Sequence, residues 1–255
     1  MNLQTAKRKK RSGQVAPFYP PPATNWVPHW EIGVYSAQHE PTRWADHKQA
    51  ATQSYIKRGL QTVSHDQQAS GEKAPTFFSE ATCVGEPVGG IRMHLPDSSG
   101  RLPIQDEIEA YVDSARLEQF IEALQPEGIV HCGGLWIDPN QKGTGVAGDL
   151  SRAYMPMILA AKACYYIATS HQYILQAWMS LRFQPVPLFS EFPYPDERYR
   201  TCVILGDVTQ WPEDLTSWAQ EQAKEAELEE KGKRFSVNPM RRQQLHQPET
   251  HPLKI

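Results

Sequence analysis

The densest chemical signal in this chain is Leu135-Trp136-Ile137-Asp138-Pro139-Asn140-Gln141-Lys142-Gly143-Thr144-Gly145-Val146-Ala147. An apolar run ends in Asp138-Pro139, a glycine-rich turn follows, and helical periodicity then resumes. A strand, a glycine loop and a helix N-terminus in that order present backbone N–H groups to a phosphate. Glycine lets the anion approach the main chain closely. Neither G-x-x-x-x-G-K-[ST] nor G-x-G-x-x-G is present, so the common nucleotide loops are excluded. The plain alternative is a tight strand-to-helix turn with no ligand. Just upstream, His131 is the only histidine or carboxylate between Ile129 and Ile137. An imidazole with a pKa near ~6.5 suits proton removal at neutral pH. Its plain alternative is a half-buried strand histidine. Alternation places Cys132 on the other face, so the two do not form a Cys-His dyad.

The glycine segment resembles the coenzyme A loop of GNAT-type acyltransferases, which reads apolar-x-Pro-x-x-[Arg/Gln]-Gly-x-Gly-x-[Gly/Ala]. Lys142, Gly143, Gly145 and Ala147 fall on its positions, with lysine in place of arginine or glutamine. The resemblance implies that the amides from Lys142 through Gly143, Thr144, Gly145 and Val146 to Ala147 cradle the coenzyme A pyrophosphate. It implies that Leu135, Trp136 and Ile137 border the cofactor, with a main-chain N–H near Leu135 or Trp136 for the thioester oxyanion. It also implies His131 as the base and His171 as a contact to the cofactor arm. Ala177-Trp178-Met179-Ser180-Leu181-Arg182-Phe183 matches the family's Leu-Tyr-x-x-x-Gly-Phe, but with Trp178 where a tyrosine often acts as general acid and Arg182 where glycine stands. An indole N–H cannot protonate a leaving thiolate.

A weaker resemblance lies in Val88-Gly89-Gly90-Ile91-Arg92-Met93-His94-Leu95-Pro96. Acyl-homoserine-lactone synthases and N-acyl amino acid synthases carry a Gly-x-x-Arg-apolar-apolar-Pro strand end and a helical insertion before the fourth strand. This implies Arg92 near the acceptor or acyl pocket and Ile104 to Leu124 as the insertion. The rigid aromatic run Phe192-Pro193-Tyr194-Pro195-Asp196 offers Tyr194, with Trp178, as a further acceptor-pocket residue, or packs as an ordinary loop. The implied substrates are acetyl- or another acyl-coenzyme A and a small amine or amino-acid-like acceptor, with no metal. A non-catalytic module that senses acyl-coenzyme A or binds a protein partner is the competing class.

The elements that must position these residues mix strands and helices. Strands are expected at Trp30 to Ala37, Thr76 to Val84, Val88 to Leu95, Ile129 to Ile137, Cys164 to Ala168, Phe183 to Pro185 and Arg200 to Leu205. Gly85-Glu86-Pro87 reads as a hairpin turn, and Gly133-Gly134 as a bulge. Helices are expected at Thr42 to Leu60, Ile104 to Leu124 with a break near Asp113-Ser114, Gly148 to Ala161 bent at Pro156, Gln172 to Leu181, and from Pro212. This order is similar to the GNAT fold: an α+β domain with a twisted mixed sheet of about six to seven strands flanked by helices, spanning 26–210. A C-terminal helix occupies 211–231. Segments 1–25 and 232–255 read as disordered tails, the first carrying Lys7-Arg8-Lys9-Lys10-Arg11 and several prolines. The chain is 40% hydrophobic with a formal net charge of -3, which suits one large core and argues against nucleic acid as its main partner. No apolar run is long enough to span a membrane, and a cytoplasmic location is expected. Four cysteines without a C-x-x-C pair read as buried thiols, and a homodimer is left open.

Overall fold

In the computed structural model the described residues are 30–60, 74–229 and 234–236. The expected basic tail 1–25 and most of 232–255 lie outside them. Strands β1 (Glu31–Ser36), β2 (Thr76–Cys83), β3 (Glu86–His94), β4 (Ile129–Ile137), β5 (Tyr165–His171), β6 (Phe183–Pro185), β7 (Thr201–Asp207) and β8 (Arg234–Ser236) form one mixed sheet in the order β6-β7-β5-β4-β3-β2-β1-β8. The helices are α1 (Pro41–Lys57), α2 (Pro103–Ile108), α3 (Ser114–Leu124), α4 (Val146–Arg152), α5 (Tyr154–Ala160), α6 (Leu175–Met179) and α7 (Glu213–Glu229). Among them none is long and apolar enough to cross a membrane.

Several expected boundaries move for local reasons. The β2–β3 turn is Val84-Gly85, both at positive φ (53° and 84°), while Glu86 and Pro87 already belong to β3. Two central residues at positive φ match the right-handed twist of a hairpin. Asp113 caps α3 by accepting from the Arg116 N–H, so the insertion is two helices. The segment after the glycine loop is also two helices. Pro156 sits one turn into α5 and has no N–H to offer the Arg152 carbonyl, so the chain restarts at Ala153. Thr201–Asp207 lies inside the sheet, between β6 and β5. The eighth strand, Arg234–Ser236, falls in a stretch read as tail and pairs antiparallel with Gly33–Tyr35. Backbone pairing to an otherwise open edge needs no apolar periodicity, so composition does not reveal it.

The sheet buries both faces. On one, α4, α5 and α7 pack over Met93, Val130, Cys132, Leu150, Tyr154 and Tyr166; Leu215 and Ala219 anchor α7 there as the helical spacing predicts. On the other, α2 and α3 pack Ile104, Ile108, Leu117 and Ile121 against Ile129, Ile167 and Val203. Helix α1 shares that second face through Ala51, Tyr55 and Trp136. Strands β4 and β5 run parallel but pair only at Ile129–His131 with Tyr165–Ile167. Beyond His131 both continue without pairing each other, and the sheet opens between them.

Candidate functional site

The opening is shaped by a bulge in β4. Gly90 faces Trp136, but Arg92 faces Gly133, so β4 holds one extra residue at the expected Gly133-Gly134 position. Gly134 has φ 68°, and a Cβ there would lie 2.6 Å from Arg92 Nε. The glycine is needed both for its left-handed backbone and for the arginine lying across it. Past the bulge, the Asp138 N–H bonds the Val88 carbonyl at 2.9 Å. Alternation then turns the N–H and C=O of Trp136 toward β3 and those of Leu135 and Ile137 toward the opening. Of the two expected oxyanion donors, only the Leu135 N–H is on the open edge; that of Trp136 belongs to the ladder with Gly90.

The loop that follows is held by its own short bonds. The Asp138 carboxylate accepts from the Asn140 N–H at 2.8 Å, and the Thr144 hydroxyl donates to the Gln141 carbonyl at 2.7 Å. Gly143 (φ 81°) and Gly145 (φ 100°) take left-handed conformations, and α4 begins at Val146. Among the described residues, no hydrogen bond engages the N–H groups of Gly143, Gly145, Val146 or Ala147. Four donors without partners among the described residues thus lie at the loop and the helix start, with exposed Lys142 beside them. A narrow cleft between β4, α4 and α6 is lined by Leu135, Gly148, Ser151, Ile174, Ala177, Trp178 and Leu181. Trp178 is buried against Tyr154 and Phe183. Arg182 has φ 66°, so it occupies a left-handed position that favours glycine.

The opposite face of the split carries buried polar side chains. His131 is 1% exposed and sits where the strands part. Its Nε2 is 3.9 Å from Glu107 Oε2, too far for a hydrogen bond, and its Nδ1 has no hydrogen-bond partner among the described residues. Burial, reinforced by the Arg92 charge, lowers its pKa to about 3, so the imidazole is neutral. The ordinary histidine pKa expected from sequence therefore does not hold. His94, stacked on it at 5.9 Å, bonds Thr76 Oγ1 through Nδ1 at 2.8 Å; burial and Arg92 also hold it well below the usual range. Arg92 and Glu107 complete this cluster, both buried.

A second chain of contacts runs under α1. Arg43 Nε is 3.7 Å from Glu80, whose other oxygen is 3.4 Å from His47 Nδ1; His47 Nε2 accepts from Trp136 Nε1 at 3.4 Å. The C-terminal half of α1 reaches the open edge itself. The Tyr55 hydroxyl donates to the Leu135 carbonyl at 3.1 Å, and Ser54 and Arg58 donate to the Ile137 carbonyl at 3.2 and 3.1 Å.

The structure places Leu135 and Trp178 on one cleft wall with Gly148 and Ser151 of α4, while Ile137 and Lys142 to Ala147 lie in the chain between Leu135 and Gly148 and are not part of that lining. The Trp136 side chain points away, under α1. Arg92 and His131 meet on the other face. His171 lies apart from the cleft lining: its Nδ1 contacts Thr201 Oγ1 at 3.0 Å and its ring stacks on Tyr199 at 4.5 Å. The Thr201 hydroxyl also donates to the carbonyl of Tyr194, whose buried ring meets Tyr111 edge-on. Sequence reasoning missed Glu107, His47, Glu80, Tyr55, Ser54 and Arg58. A signal exists for α1 alone. Its buried stripe is His47, Ala51, Ser54 and Tyr55, a helical spacing whose inward face carries three polar residues.

No known protein-family pattern matches the chain. Uncharacterized proteins of Mycobacterium tuberculosis and Mycobacterium bovis are 28% identical over 177 residues, which cover 66% of this chain. The chain spans 65% of the length of these curated relatives. Among solved structures, an acyl-CoA N-acyltransferase from Pseudomonas aeruginosa superposes with a TM-score of 0.50 at 12% identity, over 69% of this chain and 99% of that one. FeeM, an N-acyl amino acid synthase from uncultured soil microbes, gives 0.49 at 13% identity, over 70% and 96%. The chain has the fold of the acyl-CoA N-acyltransferases, with the mixed sheet and flanking helices expected from the glycine-loop resemblance.

Proposed function

We propose that this chain moves an acyl group, acetyl or longer, from acyl-coenzyme A to a small amine or amino-acid-like acceptor by direct attack. One observation carries the reading. The unpaired edge of β4 runs straight into a loop whose Gly143, Gly145, Val146 and Ala147 amides all lack partners among the described residues. Partnerless amides at a helix start fit a pyrophosphate. The strand edge fits an extended amide-bearing arm, and the Leu135 N–H fits a thioester oxygen that gains charge during attack. Leu135, Ile137, Lys142 and Thr144 belong to the same track; Trp136 supports it from beneath.

In this reading the amine approaches from the face that carries Arg92, His131 and Tyr194. His131 takes the proton that the amine loses. Because the free imidazole is neutral, it is ready to accept, but it is a weak base and works only on the acidic nitrogen of the tetrahedral adduct. His171, half-buried against Tyr173 and Tyr199, stays the proposed contact to the cofactor arm, beyond the cleft lining itself. Trp178 and the depressed His131 favour a second reading, in which the fold binds acyl-coenzyme A without turnover. Release of free thiol from acetyl-coenzyme A across a panel of amines separates the two. Amine-dependent release supports transfer, and binding without release supports the sensor.

A further inference from the structure

Resting on that reading, we propose that Tyr55 of α1 is the proton donor to the departing thiolate. Leu135 turns both its N–H and its C=O into the opening, and a residue's two backbone groups on one edge lie within a few ångströms of each other. The Tyr55 hydroxyl already donates to that carbonyl at 3.1 Å. Whatever thioester oxygen the Leu135 N–H receives, its sulfur is one bond from the same carbon, beside the phenol. Tyr55 lies outside the lining of the cleft, which among the described residues holds no carboxylate, histidine, tyrosine or cysteine. Trp178 lines it but its indole N–H does not release a proton to sulfur, and Ser151 donates to the Ala147 carbonyl.

Position and rigidity agree with the role. Tyr55 is 8% exposed and packs with Ala51 and Trp136, so its ring is fixed while its hydroxyl faces the split. Ser54 and Arg58 pin the same turn of α1 to the Ile137 carbonyl, two residues further along the strand. The chemistry balances without any further reagent. The amine nitrogen forms a C–N bond to the thioester carbon, and the C–S bond breaks with its electron pair going to sulfur. The Tyr55 proton moves to that sulfur to give the free thiol. The proton lost by the amine, released through His131 or water, restores the phenol.

The test uses the full chain. Calorimetry with coenzyme A comes first: absence of binding overturns the underlying reading, and with it this proposal. With binding established, 3-fluorotyrosine is placed at position 55 and its ¹⁹F resonance is followed. Coenzyme A is expected to shift the resonance, while adenosine 3′,5′-bisphosphate, which lacks the thiol arm, is expected to leave it in place. Tyr55→Phe is expected to keep coenzyme A affinity within about threefold and to lower the rate of thiol release from acetyl-coenzyme A by roughly 10²–10³-fold, the usual worth of a positioned acid. Ser54→Ala, which removes a neighbouring anchor of α1, is expected to cost less than about threefold, so it reports any effect due to helix placement alone. The proposal is overturned by a silent ¹⁹F resonance on coenzyme A binding, by equal losses in Ser54→Ala and Tyr55→Phe, or by binding with no thiol release from acetyl-coenzyme A in the presence of any amine of the panel. Those three outcomes leave the cofactor-binding reading standing.

Discussion

The two faces of the β4–β5 split are built from different materials. On the α4 side the donors are backbone amides, set by Gly143, Gly145 and the start of one helix. On the α2 side the polar groups are side chains from three places in the chain: Arg92 and His94 on β3, Glu107 on α2, and His131 on β4. A backbone-built site is local in sequence and keeps its donors whatever the pH. A side-chain site assembled in a dry interior keeps its imidazoles neutral, and its protonation depends on neighbours brought by the fold.

The largest effect that would sharpen this contrast is on turnover. His131→Ala is expected to lower kcat/KM by roughly 10²–10⁴-fold and leave coenzyme A affinity unchanged, because the side chain lies beside Glu107 and Arg92 and not at the glycine loop. Steady-state kinetics beside calorimetry check it; an equal loss of affinity would erase the division between the faces. No rate limb near the ordinary histidine pKa is expected from His131, since its own is about 3.

The next effect is on stability. Between about pH 6.5 and pH 3 the unfolded chain holds a proton on residue 131 while the folded one does not. Stability therefore falls as pH drops through that window, by about 1.4 kcal/mol per pH unit for each such group. His94, and His47 more weakly placed beside Glu80, are lowered in the same direction and add to the slope. Denaturant melts from pH 7 to 5 are expected to lose stability steeply, and His131→Asn to flatten the slope by one proton. An unchanged slope would place the imidazole in contact with water.

Two smaller effects probe the other face. Lys142→Ala is expected to weaken coenzyme A binding only by roughly two- to fivefold, the value of one exposed charge, since amides do most of the holding. A loss beyond about 10²-fold would show that the side chain, not the backbone, makes the site. Arg182→Gly is expected to raise stability by up to about 1 kcal/mol by relieving a left-handed arginine, with binding unchanged. Thermal melts read it directly.

The same contrast explains what could be read from the chain unaided. The loop, the β4 bulge at Gly133-Gly134 and the helix break at Asp113 were legible because each is dictated by residues a few positions apart. The helix that starts after Pro212 was legible from its start signal, and helical period turns its Leu215 and Ala219 inward. The restart at Ala153 was half legible: Pro156 announces a disturbance, but whether a helix bends or restarts depends on packing. Strand β8 and the Tyr55 contact with Leu135 were not legible. Both are long-range pairings to a strand edge; helical spacing marks Tyr55 as inward-facing, but nothing local says which strand edge either segment meets. His131 was found as a residue, but its pKa was not, because the burial and the Arg92 charge that lower it come from tertiary structure.

The central claim is that the Gly143 to Ala147 backbone holds a pyrophosphate, and Gly145→Glu tests it most directly. The glutamate side chain would fill the place where the amides converge and set a negative charge against the phosphates. Titration calorimetry with coenzyme A is predicted to show clear binding to the natural chain and none to Gly145→Glu, with the variant still melting cooperatively within a few degrees of the natural chain. Equal affinity in a folded Gly145→Glu would contradict the account, because the loop would then be only a turn.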